Sequence, residues 1–354
     1  MIEDKNSLRL GAAKLLGLEA GRLIFEPLKV IGSMSGKIED GFDGSLFCLR
    51  DSVTDTSYVV KMKSASFTEN VGAAMAPEGY PGFEEAFKRG WGVFYIRDSY
   101  KREMGVYSGL EPGLKRYIPK YYGSVLSGDT AAHIMEKLDI VQRPVNIDAA
   151  ARFIAKLHAK YLNDLASAKR LGANIPVLSD YENAREMSHM LLEGAAKIYP
   201  SFTADIVRVM HGFACDAENN YRLLNDFDRT LCQGDYCVKN MSFIRGGAVI
   251  YDWELATYNS PQFDIASFLV HYPDRIDESI INGFLNTYKL ESECLENTQG
   301  AMFEDGLRFN IMLYMATRFH AMMNISAKVD MPYMPTSVGN WLYLFKYFRL
   351  GSGL

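Results

Sequence analysis

The stretch Leu231–Asn240, LCQGDYCVKN, sets a carboxylate at Asp235 just past a turn glycine, Gly234, and an amide at Asn240. Twelve residues beyond Asn240 a second apolar run, VIYDWELA, also ends on a carboxylate, Asp252. The full segment RTLCQGDYCVKNMSFIRGGAVIYDWELA predicts an apolar strand, a turn, a short strand, a Gly-Gly hairpin and a returning strand. Such a hairpin brings three oxygen-bearing side chains to one edge.

Magnesium takes hard oxygen ligands, commonly one or two carboxylates or amides completed by phosphates and water. A separate carboxylate nearby can accept the proton of a hydroxyl nucleophile. The spacing D-x4-N followed by a strand-terminal Asp matches the division of labour in kinase-type phosphoryl transfer. Taken singly, Asp235 would suit an Asx-turn and Asn240 a left-handed turn position. In this order the three point to a phosphoryl-transfer site.

With those residues in view, the segment resembles the Brenner-type catalytic loop, H-G-D-x-x-x-x-N, of the aminoglycoside phosphotransferase and choline kinase superfamily. YDWELATYNSPQFDIASFL is similar to the magnesium-binding stretch that follows in the same family, including its small residue–Pro–x–x–Asp-Leu-Ala pattern. The resemblance is sharp from 231 to 270 and extends more weakly over nearly the whole chain. It implies an α+β, bilobal protein-kinase-like fold, ATP as donor, Asp235 as catalytic base, and Asn240 and Asp252 as ligands of Mg2+. One departure stands out: Gln233 occupies the place of the family histidine. That histidine supports the loop by hydrogen bonding, and glutamine can also donate and accept. The loop is therefore expected to be intact.

The rest of the chain fits two lobes. At 354 residues it exceeds one average domain. Up to about residue 140 it is rich in strand patterns, such as GRLIFEPLKVIG, SYVVKMKS and TAAHIMEKL; after 146 helical patterns dominate, such as NIDAAARFIAKLHAKYLNDLASA. This predicts an N-terminal nucleotide-binding lobe over 1–138 and a catalytic, acceptor-binding lobe over 139–354. Residues 64–90, with two prolines and several glycines, are expected to form an irregular insertion, either a lid or a decoration. The net charge of −5 argues against nucleic acid as partner, and no apolar run is long enough for a membrane span. Five scattered cysteines and a start without an apolar signal region predict reduced thiols and a cytoplasmic location.

In the first lobe, Lys61 ends the run SYVV and matches the lysine that holds the α- and β-phosphates in kinase-like folds. Lys63 would share its strand face. Glu103 resembles the helix glutamate that pairs with this lysine. GSMSGK at 32–37 fails the P-loop pattern, since its spacing is G-x3-G and Ile38 follows the lysine. It reads instead as a turn over the nucleotide, with Gly32, Ser33 and Ser35 near phosphate. Glu136 and Leu138, in HIMEKL, are expected to offer backbone groups to adenine. His158 reads as a core histidine; Asp264 lies where a helix N-cap would suit it, and the resemblance implies a structural, supporting aspartate there.

The acceptor is expected to be a small-molecule alcohol. The final stretch is aromatic (Tyr333, Trp341, Tyr343, Phe345, Tyr347, Phe348), and Asp330 is its only acid between 306 and 354. That composition predicts an amphipathic alcohol or singly charged amino alcohol in preference to a polycation. A peptide-directed biosynthetic kinase, or a catalytically weak binding module, is the alternative that Gln233 and the insertion keep open.

Overall fold

Alternation along SYVVKMKS sets the architecture of the first lobe. The computed structural model describes residues 5–28, 46–64, 72–90, 98–127, 130–292 and 301–350. Strands β1 (Leu23–Pro27), β2 (Leu46–Asp51), β3 (Ser57–Ser64), β4 (Tyr121–Ser127) and β5 (Thr130–Glu136) form one antiparallel sheet in the order β1-β2-β3-β5-β4. Tyr58, Val60 and Met62 of β3 join Leu8, Ala12 and Ala13 of the helix Lys5–Leu16 in a small core on one face. The period of two therefore turns Val59, Lys61 and Lys63 to the opposite face. In register, Lys61 lies between Leu46 of β2 and His133 of β5.

Behind that second face stands the helix Ser99–Gly109, whose buried residues Ser99, Arg102, Glu103, Val106 and Tyr107 fall on one stripe. The main core continues from there into a second, mainly helical lobe. Its central helices are Ile147–Lys160, Leu178–Ile198, Gln262–Val270, Glu278–Glu291, Ala301–Tyr314 and Met334–Tyr347. Every residue of Gln262–Val270 is buried, as its apolar sequence requires. The fold is thus α+β and bilobal, with a small β-rich lobe and a larger helical one.

The described part of the insertion is less irregular than expected. Its prolines and all its glycines but Gly90 lie before residue 83, and Phe83–Gly90 is a helix. Phe83, Ala86, Phe87 and Gly90 make its buried stripe, with Glu84 and Glu85 in the first turn and Lys88 and Arg89 in the last, as the helix dipole favours. The described part, 72–90, is fastened to the helical lobe: Tyr80 donates to Glu193 (2.7 Å), and Lys328 Nζ donates to the carbonyls of Ala73 (3.0 Å) and Ala76 (2.6 Å).

Three buried histidines link this core to pH. Burial holds His133, His271 and His320 at pKa values of about 3, far below the usual 6.5. They stay neutral in the folded state, whereas the unfolded chain binds protons below pH 6.5. Stability attributable to them is complete above that pH and falls as acid is added. Between pH 7.5 and 5.5 the three together should lose about 4 kcal/mol. Asp252 opposes this: burial and the negative charge of Glu254, partly countered by Lys61, raise its carboxyl above the usual carboxylate range. Its protonation in the folded state offsets part of the loss. Urea melts should therefore show a net loss of up to about 4 kcal/mol, and a flat profile would contradict the burial of these imidazoles.

Candidate active site

Four short strands hold the decisive loop. β6 (Thr230–Cys232) pairs with β9 (Thr257–Asn259), and β7 (Met241–Ser242) with β8 (Val249–Ile250). The Gly-Gly hairpin lies between β7 and β8 as expected, but the first strand pairs with β9 and not with the hairpin. Gly234 turns the chain at φ +87°, where an added Cβ would stand 2.0 Å from the carbonyl oxygen of Leu255; only glycine fits. Tyr236 then anchors the loop by donating to the carbonyl of Ala150 at 2.7 Å.

Asp264 does something other than cap its own helix, which has no side-chain cap. Its buried carboxylate accepts the backbone N–H groups of Gln233 (2.7 Å) and Gly234 (2.9 Å). His158 stands 3.3 Å from the same carboxylate and 2.9 Å from the hydroxyl of Tyr288. Both residues brace the loop from beneath, because a buried carboxylate must be hydrogen-bonded.

Gln233 links the loop to the Asp252 segment. Its Nε2 donates to the carbonyls of Asp252 (2.7 Å) and Tyr251 (3.3 Å), while its Oε1 accepts the backbone N–H of Asp235 at 2.8 Å. The side chain uses both ends of its amide, as a bracing role requires. Gln233→His, which keeps a donor and an acceptor, should retain turnover within a small factor. Gln233→Leu, which keeps neither, should lose about tenfold or more. Comparable rates for the two variants would show that the bridge is dispensable.

Asp235 and Asn240 are in direct contact. Asn240 Nδ2 donates to Asp235 Oδ2 (2.8 Å) and to the Asp235 carbonyl (2.9 Å), which leaves Asn240 Oδ1 for a cation. Lys239 Nζ lies 3.4 Å from Asp235 Oδ2.

The second group converges on Lys61. Its ammonium lies 2.8 Å from Glu103 Oε2, 2.5 Å from Asp252 Oδ1 and 3.3 Å from Glu254 Oε2. Lys63 pairs with Glu254 at 2.8 Å. Burial opposes the charge of Lys61, but Asp252, Glu103 and Glu254 outweigh it and hold the pKa well above the ordinary lysine value. The backbone of Asp252 is left-handed, with φ +64°, and its N–H donates to the hydroxyl of Tyr107 at 3.2 Å. Trp253, fully buried, pins the following turn with an indole bond to the Ile250 carbonyl at 3.3 Å. The left-handed residue aims the Asp252 carboxylate back at Lys61, a strained geometry of the kind met at functional sites.

Lys61, Glu103 and Asp252 therefore form one ion-paired group and Asp235 and Asn240 a second, and Gln233 ties the two segments together. Glu136 has its amide engaged with the Lys120 carbonyl at 2.8 Å and its carboxylate with Arg245 and the Lys120 N–H. Leu138 follows on the chain between the lobes. Gly32, Ser33 and Ser35 lie outside the described residues. Glu254 and Lys239 were not anticipated. The spacing D-x-E in YDWELA was the available signal for Glu254, and the i, i+4 offset from Asp235 was the signal for Lys239.

Oxygen donors alone, with a left-handed carboxylate and a free amide oxygen, suit a hard divalent cation such as Mg2+. Among the described residues, Glu103, Asp252 and Glu254 also stand close enough together to hold a metal ion.

A family model described as "Phosphotransferase enzyme family" matches residues 106–299, more than half of the chain, and the protein belongs to that family. The match includes Asp235, Asn240 and Asp252. Among solved structures, the chain is similar to a choline kinase from Cryptosporidium parvum (TM-score 0.58, 11% identity, covering 98% of this chain and 96% of that one). It is also similar to an ethanolamine kinase from Plasmodium vivax (TM-score 0.54, 15% identity, 99% and 91% covered). At these identities the likeness speaks for the fold. No curated protein matches the chain. No helix among the described residues is long and apolar enough to cross a membrane.

Proposed function

We propose that this protein transfers the terminal phosphoryl group of ATP to a hydroxyl of a small molecule. The observation that carries the reading is the pairing of two linked groups: Lys61 held by Glu103 beside Asp252, and Asp235 hydrogen-bonded to Asn240 on the neighbouring loop. Lys61 would hold the α- and β-phosphates, with Glu103 fixing its position. Asn240 Oδ1 and Asp252 would hold Mg2+, with Glu254 as a further carboxylate nearby. When bound, the ion neutralises charge on the β- and γ-phosphates. The acceptor hydroxyl approaches Asp235, which orients it and takes its proton. A new P–O bond forms to the acceptor oxygen as the bond to the β–γ bridging oxygen breaks, and ADP leaves with that electron pair. Gln233 keeps the base and the Asp252 segment in register. With its amide engaged by Lys120, Glu136 would offer adenine its carbonyl, and Leu138 a further backbone group. The phosphate turn would be supplied by Gly32, Ser33 and Ser35.

A small-molecule acceptor is favoured over a peptide because the described part of the insertion, 72–90, is docked on the helical lobe. A screen of ADP release with Mg-ATP and hydroxyl compounds tests the proposal. At least one acceptor should raise the rate far above background hydrolysis. If none does, and Mg-ATP also fails to bind, the protein is not an ATP-dependent phosphotransferase.

A further inference from the structure

The acceptor side of Asp235 already contains a cation. Lys239 Nζ stands 3.4 Å from Asp235 Oδ2 and 5.5 Å from the centre of the Tyr333 ring. Its residue is fixed from behind: the Lys239 carbonyl accepts from the hydroxyl of Tyr251 (2.9 Å) and from Gln142 Nε2 (3.0 Å). The Lys239 side chain is 32% exposed.

Among the described residues, no carboxylate other than Asp235 forms an ion pair with Lys239. His271 lies edge-on to the Tyr333 ring at 6.3 Å and to Phe319 at 5.3 Å, and its nitrogens stand 2.9 Å from the Tyr314 hydroxyl and 3.0 Å from Ser337 Oγ. Phe319 closes a π-helical turn, Met315–Phe319, an irregularity frequent at functional sites. Asp330, the one acid between 306 and 354, is exposed. Of the aromatics that end the chain, Trp341 and Phe348 are core, and Tyr343 and Tyr347 face outward. Tyr333 is the one whose ring meets Lys239.

An ammonium-bearing acceptor would thus find the Tyr333 face shared with Lys239 and the nearest carboxylate already paired. Repulsion from Lys239 would cancel much of the attraction that Asp235 exerts on such an ammonium, so the pair offers it little net attraction. An acceptor with a negative group meets the opposite: an anchored lysine next to the base, which would also offset repulsion between Asp235 and that group.

We propose that Lys239 and Tyr333 form an anion subsite, so that the acceptor is an alcohol bearing a carboxylate or phosphate-ester group near the hydroxyl that reacts. This rests on the phosphotransfer reading. It replaces the amino-alcohol expectation, which was drawn from the aromatics without Lys239.

The test is calorimetry of sn-glycerol 3-phosphate, D-glycerate, glycerol and choline with the protein saturated in magnesium and a non-hydrolysable ATP analogue, followed by ADP-release kinetics on any that turn over. Wild type should bind at least one of the two anions about tenfold or more tighter than glycerol or choline; which one does so identifies the group. Lys239→Met should abolish that preference, Lys239→Arg should restore most of it, and Lys239→Glu should shift it toward choline. In turnover, Lys239→Met should raise KM for the anionic acceptor with kcat within about threefold. Equal or better binding of choline by wild type would overturn the proposal, as would the absence of binding by both anions. So would an equal fall of kcat for every acceptor with KM unchanged, which would make Lys239 a phosphoryl ligand. Mg-ATP binding to wild type separates the two readings: its loss would remove phosphotransfer itself, whereas its persistence with any of these contrary results removes the subsite alone.

Discussion

Asp235→Ala should lower phosphoryl transfer by about 10²–10⁴ while Mg-ATP affinity stays within a few-fold of wild type. The split follows from the geometry. On the proposed reading Asp235 meets the acceptor; it is bonded to Asn240 and close to Lys239, and makes no contact with Lys61 among the hydrogen bonds and ion pairs of the described residues. Removing its carboxylate deprives the hydroxyl of its proton acceptor but leaves Lys61, Glu103 and Asp252 in place. Asp235→Asn is the companion variant, because an amide can still contact Asn240 and holds the loop. Steady-state kinetics paired with calorimetry checks both. Undiminished turnover in Asp235→Asn would remove Asp235 from the mechanism.

Asp252 should fail differently. Asp252→Asn should abolish measurable turnover, a loss of about 10³ or more, and weaken magnesium-dependent ATP binding. Asparagine is preferable to alanine here because it tolerates the left-handed backbone at φ +64°. The fold should survive. Asp252 is crowded by Glu254 and Glu103, and Lys61 keeps both of those partners at 3.3 Å and 2.8 Å when the charge at 252 is lost. A melting temperature equal to or above wild type, together with lost activity, is the expected pattern. Identical magnesium-dependent ATP binding in variant and wild type would assign Asp252 a purely structural part.

How much of this was legible beforehand differs by region. Lys61 and Lys63 could be placed on one face of the strand SYVVKMK from its period of two, whereas Glu103 was reached through the family resemblance, because a glutamate on a helix is as readily a solvated one until packing buries it. The Asp235–Asn240 spacing is local and survives folding unchanged. Asp264 was legible as support but not in its manner, because a capping position and a loop brace look alike in one dimension; the difference is made by Gln233 and Gly234, some thirty residues earlier. The insertion misled because its turn residues lie before residue 83, whereas FEEAFKRG carries its own helical stripe. The terminal aromatics could not be sorted until packing placed Trp341 in the core and Tyr333 beside Lys239. Lys239 itself was hidden by a charge that any surface loop might bear.

Phosphorus-31 NMR of the product tests the central claim most directly. Wild-type protein incubated with Mg-ATP and an acceptor found by the screen should convert ATP to ADP with a stoichiometric new phosphate-monoester resonance, coupled to the carbon-bound protons of the acceptor, and Asp235→Asn should leave that resonance undeveloped over the same time. A phosphoramidate product, or an equal monoester signal from the Asp235→Asn protein, would contradict hydroxyl-directed transfer with Asp235 as the base.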